Sequence, residues 1–238
     1  MNSQASDAAS LVVVELFTSQ GDSASPPADA FLAELARRPD IFAIAFHVDY
    51  WNYLGWTDPF SSKLAAERQR SYAKRLALRY VYTPQMVIDG TTEGIGSERD
   101  TITQLIADAA ADPLPRISVR MVRESDAQVM VHIGDGALRE PATVWLVGFD
   151  GEHDTLVKWG ENEGHVLRDV HAVRSLKQVA VWSGAALDIP IADAATGGDR
   201  GLGILVQLNG TGRIIGAGYI MASGTRAGHE VVPLGASR

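Results

Sequence analysis

Cysteine is absent from this sequence of 238 residues. Disulfide exchange is therefore excluded, because that reaction begins with a thiolate that attacks a disulfide sulfur. The same absence removes the usual indication of redox compartment, since a chain without thiols is compatible with reducing and oxidising surroundings alike.

Long apolar runs and an excess of positive charge are also missing. The longest charge-free apolar stretch near the N-terminus, Leu11–Val14, is far too short to span a membrane. A formal net charge of −8 argues against general nucleic-acid binding, which needs a basic surface. Hydrophobic residues make up 46% of the chain and charged residues 21%, which is typical of a globular protein with a sizeable core.

The first ten residues contain neither a basic segment nor an apolar segment of the kind that forms a signal peptide. As written, the chain is therefore expected to be cytoplasmic. A periplasmic location is the alternative if the N-terminus has been trimmed.

The first 112 residues alternate between strand-like and helix-like patterns, which is typical of an α/β unit. Asp89-Gly90 indicates a hairpin turn between the third and fourth strands. The predicted elements are a strand at Leu11–Thr18, a helix at Ala28–Arg38, a strand at Ile41–Val48, a helix at Ser61–Leu78, a strand at Pro84–Ile88, a short fourth strand and a helix at Glu98–Ala110.

After Asp112–Pro115 the period changes to the alternation of β-strands. Short strand-like runs separated by turn residues predict a β-rich, sandwich-like region. We therefore predict two domains, residues 1–112 and 113–238. Beyond the alternating runs around 117–121 and 129–133, the predicted strands are Thr143–Phe149, Thr155–Trp159, Val166–Ser175, Val179–Trp182, Leu202–Leu208 and Arg213–Met221.

One strand–turn–helix segment is especially informative. A buried strand ends near Phe17, a tight polar turn follows, and a helix begins at Pro26-Pro27. Three further stretches carry distinctive residues: His47–Phe60, Tyr82–Gly90 and Gly160–His165.

Together these segments resemble the bacterial thioredoxin-like family known as domain of unknown function 1223, over roughly residues 11 to 220. The resemblance implies a thioredoxin-like N-terminal unit. Members of that family carry Gly-Cys-x-x-Cys-Pro-Pro at this turn. Here Asp22 and Ser25 occupy the two cysteine positions, so the residues that would perform redox chemistry are replaced.

The resemblance also implies a cis peptide bond between Thr83 and Pro84, opposite the turn that carries Asp22. Such a bond would expose the Thr83 backbone for pairing with an extended peptide. The alternative is a trans proline at the first residue of a strand, which is common.

Asp22 has two interpretations. Its carboxylate is a favoured helix N-cap, which alone explains the residue type. In a cleft it is also a candidate general base or cation ligand. Ser25 lacks redox capacity and is not surrounded by the sequence of a nucleophile elbow.

His47 and Asp49 lie at the end of the second predicted strand, where alternation places them on one face. With Asp22 they form a candidate acid–base or ligand cluster. The competing interpretation is a core histidine bonded to the backbone. No metal site and no cofactor is predicted, because no second ligand pair at metal spacing appears.

Trp51, Tyr53 and Trp56 are concentrated in one loop. They predict either an apolar wall for a peptide or organic ligand, or a contact with the β-rich half.

The leading hypothesis is a redox-inactive, thioredoxin-like protein that binds a peptide or protein partner. The predicted partner-binding residues are Asp22, Ser25, Thr83, Pro84, Trp51 and Trp56. The alternative is a non-thiol enzyme that uses Asp22, His47 and Asp49 in acid–base or metal-assisted chemistry on a small molecule.

Overall fold

The computed structural model describes residues 11–125, 128–137, 140–192 and 201–221. The helices in these ranges are α1 (Pro26–Leu35), α2 (Lys63–Arg75) and α3 (Arg99–Ala111), with a 3-10 turn at Asn52–Leu54. The strands are β1 (Val12–Thr18), β2 (Ile41–His47), β3 (Gln85–Ile88), β4 (Thr92–Ile95), β5 (Val119–Ser125), β6 (Gln128–Ile133), β7 (Ala142–Phe149), β8 (Glu152–Leu156), β9 (Val166–Val170), β10 (Val173–Trp182), β11 (Leu187–Ala192), β12 (Gly201–Leu208) and β13 (Ile214–Met221).

The protein is a mixed α/β chain that is rich in strands and contains few helices. The elements predicted before residue 112 all form, and their ends shift by a few residues. α1 begins at the proline pair, where a missing N–H costs nothing because the first turn of a helix leaves it unpaired. α2 begins after Ser62, whose hydroxyl accepts a hydrogen bond from the Ala65 N–H at 3.2 Å. No helix in the described ranges is long and apolar enough to cross a membrane.

The N-terminal elements build a four-stranded sheet in the order β2-β1-β3-β4. β1 runs parallel to β2 and antiparallel to β3, and β4 pairs with β3 through the Asp89-Gly90 turn. Every residue of β1 and β2 is buried. The two strands are covered on both faces, by α1 and α3 on one side and by α2 with β-strands of the C-terminal half on the other.

The C-terminal half contains two antiparallel sheets, in the orders β10-β7-β12-β13 and β11-β6-β5, and a two-stranded ribbon of β8 and β9. The two sheets share one apolar cluster, to which Val131, Leu146 and Ile204 belong. Their inner faces therefore form a second core. The ribbon instead lies beside β2. The Ala45 N–H of β2 donates a hydrogen bond to the carbonyl of His171, the residue that follows β9, at 3.0 Å.

Three strand predictions in this half were wrong in detail. The run predicted as Val166–Ser175 is two strands, β9 and β10, separated where His171 adopts a φ of 50°. β10 extends to Trp182 and therefore includes Val179–Trp182, which was predicted as a separate strand. β8 lies earlier than expected, and β11 was not predicted because it contains Pro190, which is acceptable only on the edge strand that β11 forms. The Gly197-Gly198-Asp199 stretch, which is typical of a hairpin turn, and the glycine-containing tail from residue 223 lie outside the described residues.

The two halves share an apolar contact centred on Phe42. Its ring stacks on Tyr219 with centroids 4.8 Å apart and tilts against Phe149 at 5.6 Å. Gly203 is required at this contact, since a Cβ there would lie 2.4 Å from Phe42 Cζ. The division at residue 112 stays a prediction, but the sheets on its two sides pack as one core.

A buried polar network reinforces this contact. Arg68 on α2 donates to the fully buried Glu15 carboxylate on β1 at 2.5 Å, and the Tyr72 hydroxyl donates to the same carboxylate. Gln207 on β12 in turn donates to the Tyr72 hydroxyl at 3.0 Å. Burial holds the pKa of Tyr72 well above its usual range, so this hydroxyl stays a donor. The network joins α2, the central strand and the C-terminal half.

We expect Glu15→Ala to lower the free energy of unfolding by about 3–5 kcal/mol, because it leaves the Arg68 guanidinium buried without a counter-charge. Urea denaturation measures this change. The double variant Glu15→Leu/Arg68→Met should recover most of the loss, because it removes both charges together.

The matched control is Glu34→Ala, which breaks the exposed pair between Glu34 and Arg99. It should change the free energy of unfolding by less than about 1 kcal/mol. Equal effects of the two alanine substitutions would contradict the role assigned to Glu15.

Candidate functional site

The turn that follows β1 brings Asp22 and Ser25 together. Asp22 is only 4% exposed, and its Oδ2 accepts a hydrogen bond from the Ser25 hydroxyl at 2.8 Å. Ser25, and not Asp22, is the N-cap residue of α1, because the helix begins at Pro26. The Asp22 carboxylate instead accepts the N–H of Ala24, at 3.0 Å. The interpretation of Asp22 as the N-cap was therefore wrong, because the N-cap lies three residues later.

Thr83 completes this arrangement from the segment that enters β3. Its hydroxyl donates to Asp22 Oδ2 at 2.6 Å and accepts the indole N–H of Trp51 at 2.7 Å. The peptide bond between Thr83 and Pro84 is cis, and Pro84 is buried. We call Asp22, Ser25, Trp51 and Thr83 the Asp22 cluster. It contains four of the six predicted partner-binding residues, and Pro84 adjoins it.

Trp56 lies outside the Asp22 cluster. Its indole N–H donates to Gln20 Oε1 at 3.0 Å, and its ring lies 6.4 Å from that of Trp159. Trp159 is 60% exposed and Tyr53 is 78% exposed. Trp56 therefore contacts the C-terminal half, which is one of the two alternatives for this loop, and the apolar wall for a ligand stays a prediction.

The loop between β8 and β9 covers the outer side of the Asp22 turn. The Asn162 side chain donates to the backbone carbonyls of Gln20 and Asp22 at 3.0 and 3.1 Å. Glu161 accepts from the backbone N–H and the hydroxyl of Ser23 at 3.1 and 2.7 Å. The sequence marked Gly160–His165 as a distinctive stretch, but nothing local linked it to a turn near the N-terminus.

His47 belongs to a second, more deeply buried cluster. Its Nδ1 lies 2.8 Å from Asp58 Oδ2, and its Nε2 lies 3.7 Å from Asp169 Oδ1. The partners predicted for His47, Asp22 and Asp49, are not among its contacts. Asp22 forms hydrogen bonds within its own cluster. Asp49 is half-buried, and its backbone carbonyl accepts a hydrogen bond from the Asn52 N–H. β2 ends at His47, so strand alternation does not extend to residue 49.

The carboxylates of this second cluster are held by Gln20 and by the loop before α2. Asp58 Oδ2 accepts the Gln20 backbone N–H at 2.9 Å, and its Oδ1 accepts the Phe60 N–H at 2.9 Å. Asp169 Oδ2 accepts the Gln20 side-chain amide at 2.6 Å. We call His47, Asp58, Asp169 and Gln20 the His47 cluster. Sequence reasoning missed Asp58 and Asp169 as members, although Asp58 lies within the motif around His47.

The charges in the His47 cluster favour an imidazolium. Burial alone would lower the pKa of His47, but the charge and hydrogen bond of Asp58, together with the charges of Asp169 and Asp29, raise it to about 9. Despite its burial, Asp58 keeps a pKa below the usual range because His47 pairs with it. Burial raises the pKa of Asp169. The cluster can therefore hold a proton at neutral pH.

Neither cluster has the arrangement of a metal centre. Across the described ranges, no group of three or more His, Asp or Glu side chains is arranged to hold a metal ion. Both clusters consist of polar side chains joined by hydrogen bonds.

Fold and site together define a strand-rich α/β protein with two adjoining buried polar clusters and no thiol. The family model described as protein of unknown function (DUF1223) matches residues 13–207, so the chain belongs to this family.

Two solved structures are similar to this chain. The crystal structure of a protein from Agrobacterium tumefaciens is 31% identical, covers 92% of this chain and 97% of its own, and has a TM-score of 0.80. HBP35 of Porphyromonas gingivalis is 13% identical, covers 96% of this chain and 81% of its own, and has a TM-score of 0.67, which is a likeness of fold alone. No curated protein matches the sequence.

We expect His47 and His171 to titrate on opposite sides of the ordinary histidine pKa of about 6.5. The Asp58 pair raises the pKa of His47 to about 9, whereas burial lowers the pKa of His171. A pH series of carbon–proton NMR spectra of the imidazole rings, assigned with His47→Gln and His171→Gln, measures both.

The raised pKa of His47 also makes the free energy of unfolding depend on pH. Because the pKa of His47 is higher in the folded chain, its contribution is fully present below pH about 6.5 and is lost as the pH rises through about 9. In His47→Gln this part of the pH dependence of unfolding should disappear. Titration of both rings near pH 6.5 would contradict the geometry of the cluster.

Proposed function

We propose that the protein is a redox-inactive, thioredoxin-like protein that binds an extended peptide or protein segment at the Asp22 cluster. The observation that carries the proposal is the meeting of Asp22, Ser25 and Thr83 in one hydrogen-bonded group. In the thioredoxin-like resemblance, these are the two cysteine positions and the residue before the proline.

The order of elements supports the thioredoxin-like part of the proposal. Residues 12–111 run strand–helix–strand–helix–strand–strand–helix, with a sheet in the order β2-β1-β3-β4. Only the pairing of β1 with β2 is parallel. This is the arrangement that the resemblance implies for a minimal thioredoxin-like unit, and the remaining strands then form its sandwich-like partner.

The lack of redox activity follows from the chemistry of the substituted residues. Neither the Asp22 carboxylate nor the Ser25 hydroxyl forms a disulfide, and the chain contains no other thiol. The resemblance implies that the hydrogen bond between them replaces the disulfide of a member with both cysteines.

The backbone at Thr83 supports peptide binding. β3 begins at Gln85, so the ladder with β1 ends before Thr83. Within the described ranges, the hydrogen bonds leave the N–H and C=O of this half-buried residue without a partner. An extended segment can pair with such groups as an added strand.

Aromatic side chains provide the apolar surface that such a segment needs. Tyr50 and Trp51 lie on one side with ring centroids 6.2 Å apart, and Tyr80 and Tyr82 lie close to Thr83 in sequence with centroids 6.2 Å apart. Tyr80 is 72% exposed. Exposed aromatic rings are typical of peptide-binding surfaces, because they bury large areas at a small entropic cost.

The alternative enzyme hypothesis has weaker support in its original form. Asp22 lies in one cluster, His47 in another and Asp49 in neither. The hypothesis began from one cluster of all three residues, and the hydrogen bonds and ion pairs of the structure do not join them into one.

We expect the wild-type protein to leave the rate of insulin reduction by dithiothreitol unchanged, because it has no thiol. The double variant Asp22→Cys/Ser25→Cys should gain a measurable rate, since it places two thiols in the turn before α1, with the second at the N-cap, where the helix dipole favours a thiolate.

The single variants Asp22→Cys and Ser25→Cys are the controls, and each should stay inactive. Activity of the wild type would contradict the redox-inactive part of the proposal. Thiol titration shows whether the double variant forms an internal disulfide. A folded double variant that forms this disulfide but gains no activity would contradict the thioredoxin-like part of the proposal.

We expect peptides selected from a displayed library to bind the wild type and to lose about tenfold in affinity on Thr83→Val, because two hydrogen bonds that position Thr83 are lost. Thr101→Val, which alters a similar hydroxyl on the exposed face of α3, should leave the affinity unchanged. Fluorescence anisotropy measures both.

A scan of N-methylated forms of the best peptide tests the mode of binding. Methylation of the amide that pairs with Thr83 should abolish binding, whereas methylation of its neighbours should not. An affinity that neither Thr83→Val nor any methylation changes would place the binding surface elsewhere on the protein.

A further inference from the structure

A groove of about 260 Å³ lies between α2 and the C-terminal sheet β10-β7-β12-β13. Its helix wall is formed by residues between Leu64 and Arg75 that are three and four positions apart and therefore share one face of α2. Its sheet wall is formed by Trp145, Leu176 and Gln207. None of the residues that line the groove belongs to the Asp22 cluster.

The apolar part of the groove consists of Leu64, Trp145 and Leu176. All three pack on the apolar cluster that joins the two halves, and all three are only partly buried there. The indole ring of Trp145 is the largest of these surfaces, and aromatic rings pack well against a second flat ring. The groove therefore favours a ligand with a flat apolar body.

Arg68 adds a buried cation to the helix wall. Its side chain is 7% exposed, and its Nε and Nη2 already donate to Glu15 and to the Tyr72 hydroxyl, at 2.5 and 3.0 Å. Nη1 has no hydrogen-bond partner among the described residues. Because Arg68 lines the groove, Nη1 is the donor that remains for a ligand.

Arg75 brings a second guanidinium to the same part of the groove. A Cβ on Gly212 would lie only 2.6 Å from Arg75 Nη1, so this nitrogen lies against the Gly212 backbone. The Gly212 carbonyl accepts the Gln207 side-chain amide at 2.7 Å, and that amide also donates to the Tyr72 hydroxyl, to which Arg68 is bonded. Through these contacts the two guanidinium groups approach each other.

Positive charge is concentrated on this helix, although the chain as a whole is acidic. Positions 63 to 79 contain six basic residues and one acidic residue, whereas the whole chain carries a net charge of −8. Glu15 compensates the charge of Arg68, but Arg75 forms no ion pair within the described ranges. Glu67 is the one carboxylate among the groove residues. The local excess of positive charge attracts an anion.

We propose that this groove binds a small aromatic carboxylate, whose ring packs on Trp145 and whose carboxylate pairs with Arg75 and accepts a hydrogen bond from Arg68 Nη1. Guanidinium groups suit this role because their planar donors match the two oxygens of a carboxylate. The volume of the groove lies below that of sites for drug-sized ligands, so the ligand is small. The site is independent of peptide binding at the Asp22 cluster.

The test is a titration of the full chain with benzoate, followed through the indole N–H signals of the tryptophans in nitrogen–proton NMR spectra. We expect a saturable shift of the Trp145 signal, which Trp145→Phe identifies. The signals of Trp51, which is bonded to Thr83, and of Trp182, which is bonded to the Ala185 carbonyl, should not shift. Benzamide has the same ring without the charge and should bind about fivefold more weakly.

Two arginine variants separate direct contact from the general charge of α2. Arg75→Gln should weaken benzoate binding about fivefold, because it removes the cation that pairs with the ligand. Arg70→Gln removes the same charge from an exposed residue of α2 that does not line the groove, so it should weaken binding less than about twofold. Both variants should stay folded, since both side chains are exposed and Arg75 makes one long hydrogen bond, to the Asn209 carbonyl at 3.4 Å.

The acidic residue in the wall gives a test of opposite sign. Glu67→Gln removes the negative charge nearest to the proposed carboxylate position, so it should strengthen benzoate binding by about twofold. The same spectra show whether each variant is folded.

A Trp145 signal that does not shift saturably in the folded wild type would overturn the proposal. Equal binding of benzamide and benzoate, or equal losses in Arg75→Gln and Arg70→Gln, would also overturn it, because the groove would then not recognise the carboxylate. A shift of the Trp51 signal in place of the Trp145 signal would move the ligand to the Asp22 cluster. None of these outcomes decides whether peptides bind at Thr83, which the displayed library tests separately.

Discussion

The hydrogen bonds of Gln20 hold the turn on which both buried clusters depend. Its backbone N–H and its side-chain amide donate to Asp58 and Asp169, which come from distant segments, and its carbonyl accepts from Asn162. Its side-chain oxygen accepts from Trp56. A buried amide that lost such partners would carry the full cost of desolvation. The observed arrangement of these segments satisfies all four of these groups.

Buried charge extends this constraint through the first sheet. Glu15 faces Arg68 on one side of β1, and His47 faces Asp58 at the end of β2. Each ionised group is tolerated inside the protein only because a partner of opposite charge lies against it. Gln207 bonds to the first network and Asp169 approaches the second. Polar contacts as well as the apolar contact at Phe42 thus specify how the C-terminal half packs on the sheet.

The N-terminal elements were predictable because their signals are local. Apolar periodicity, the proline pair before α1 and the Asp89-Gly90 turn each act within a few residues. The break between β9 and β10 was not predictable, because it depends on a positive φ at His171, and neither glycine nor proline marks a turn at that position. β11 was missed for a related reason: Pro190 argues against a strand unless the strand is known to be at an edge.

The same distinction between local and distant signals separates the two candidate clusters. The resemblance indicated that Asp22, Ser25 and Thr83 would meet, and the separation of Asp22 and Ser25 by three positions is itself a local feature. The partners of His47 were misassigned, because alternation along β2 was extended to Asp49 beyond the end of the strand. Asp169 is carried by a ribbon whose place beside β2 depends on the bond between Ala45 and His171.

The amino-acid sequence by itself determined the absence of thiol chemistry, the strand-rich α/β class and the residues at the turn after β1, because these follow from composition and from short-range patterns. Only the tertiary structure decided that His47 would pair with Asp58 and approach Asp169. Burial and charge act between groups that are close in space, and the chain brings those groups together only when the ribbon of β8 and β9 packs beside the first sheet.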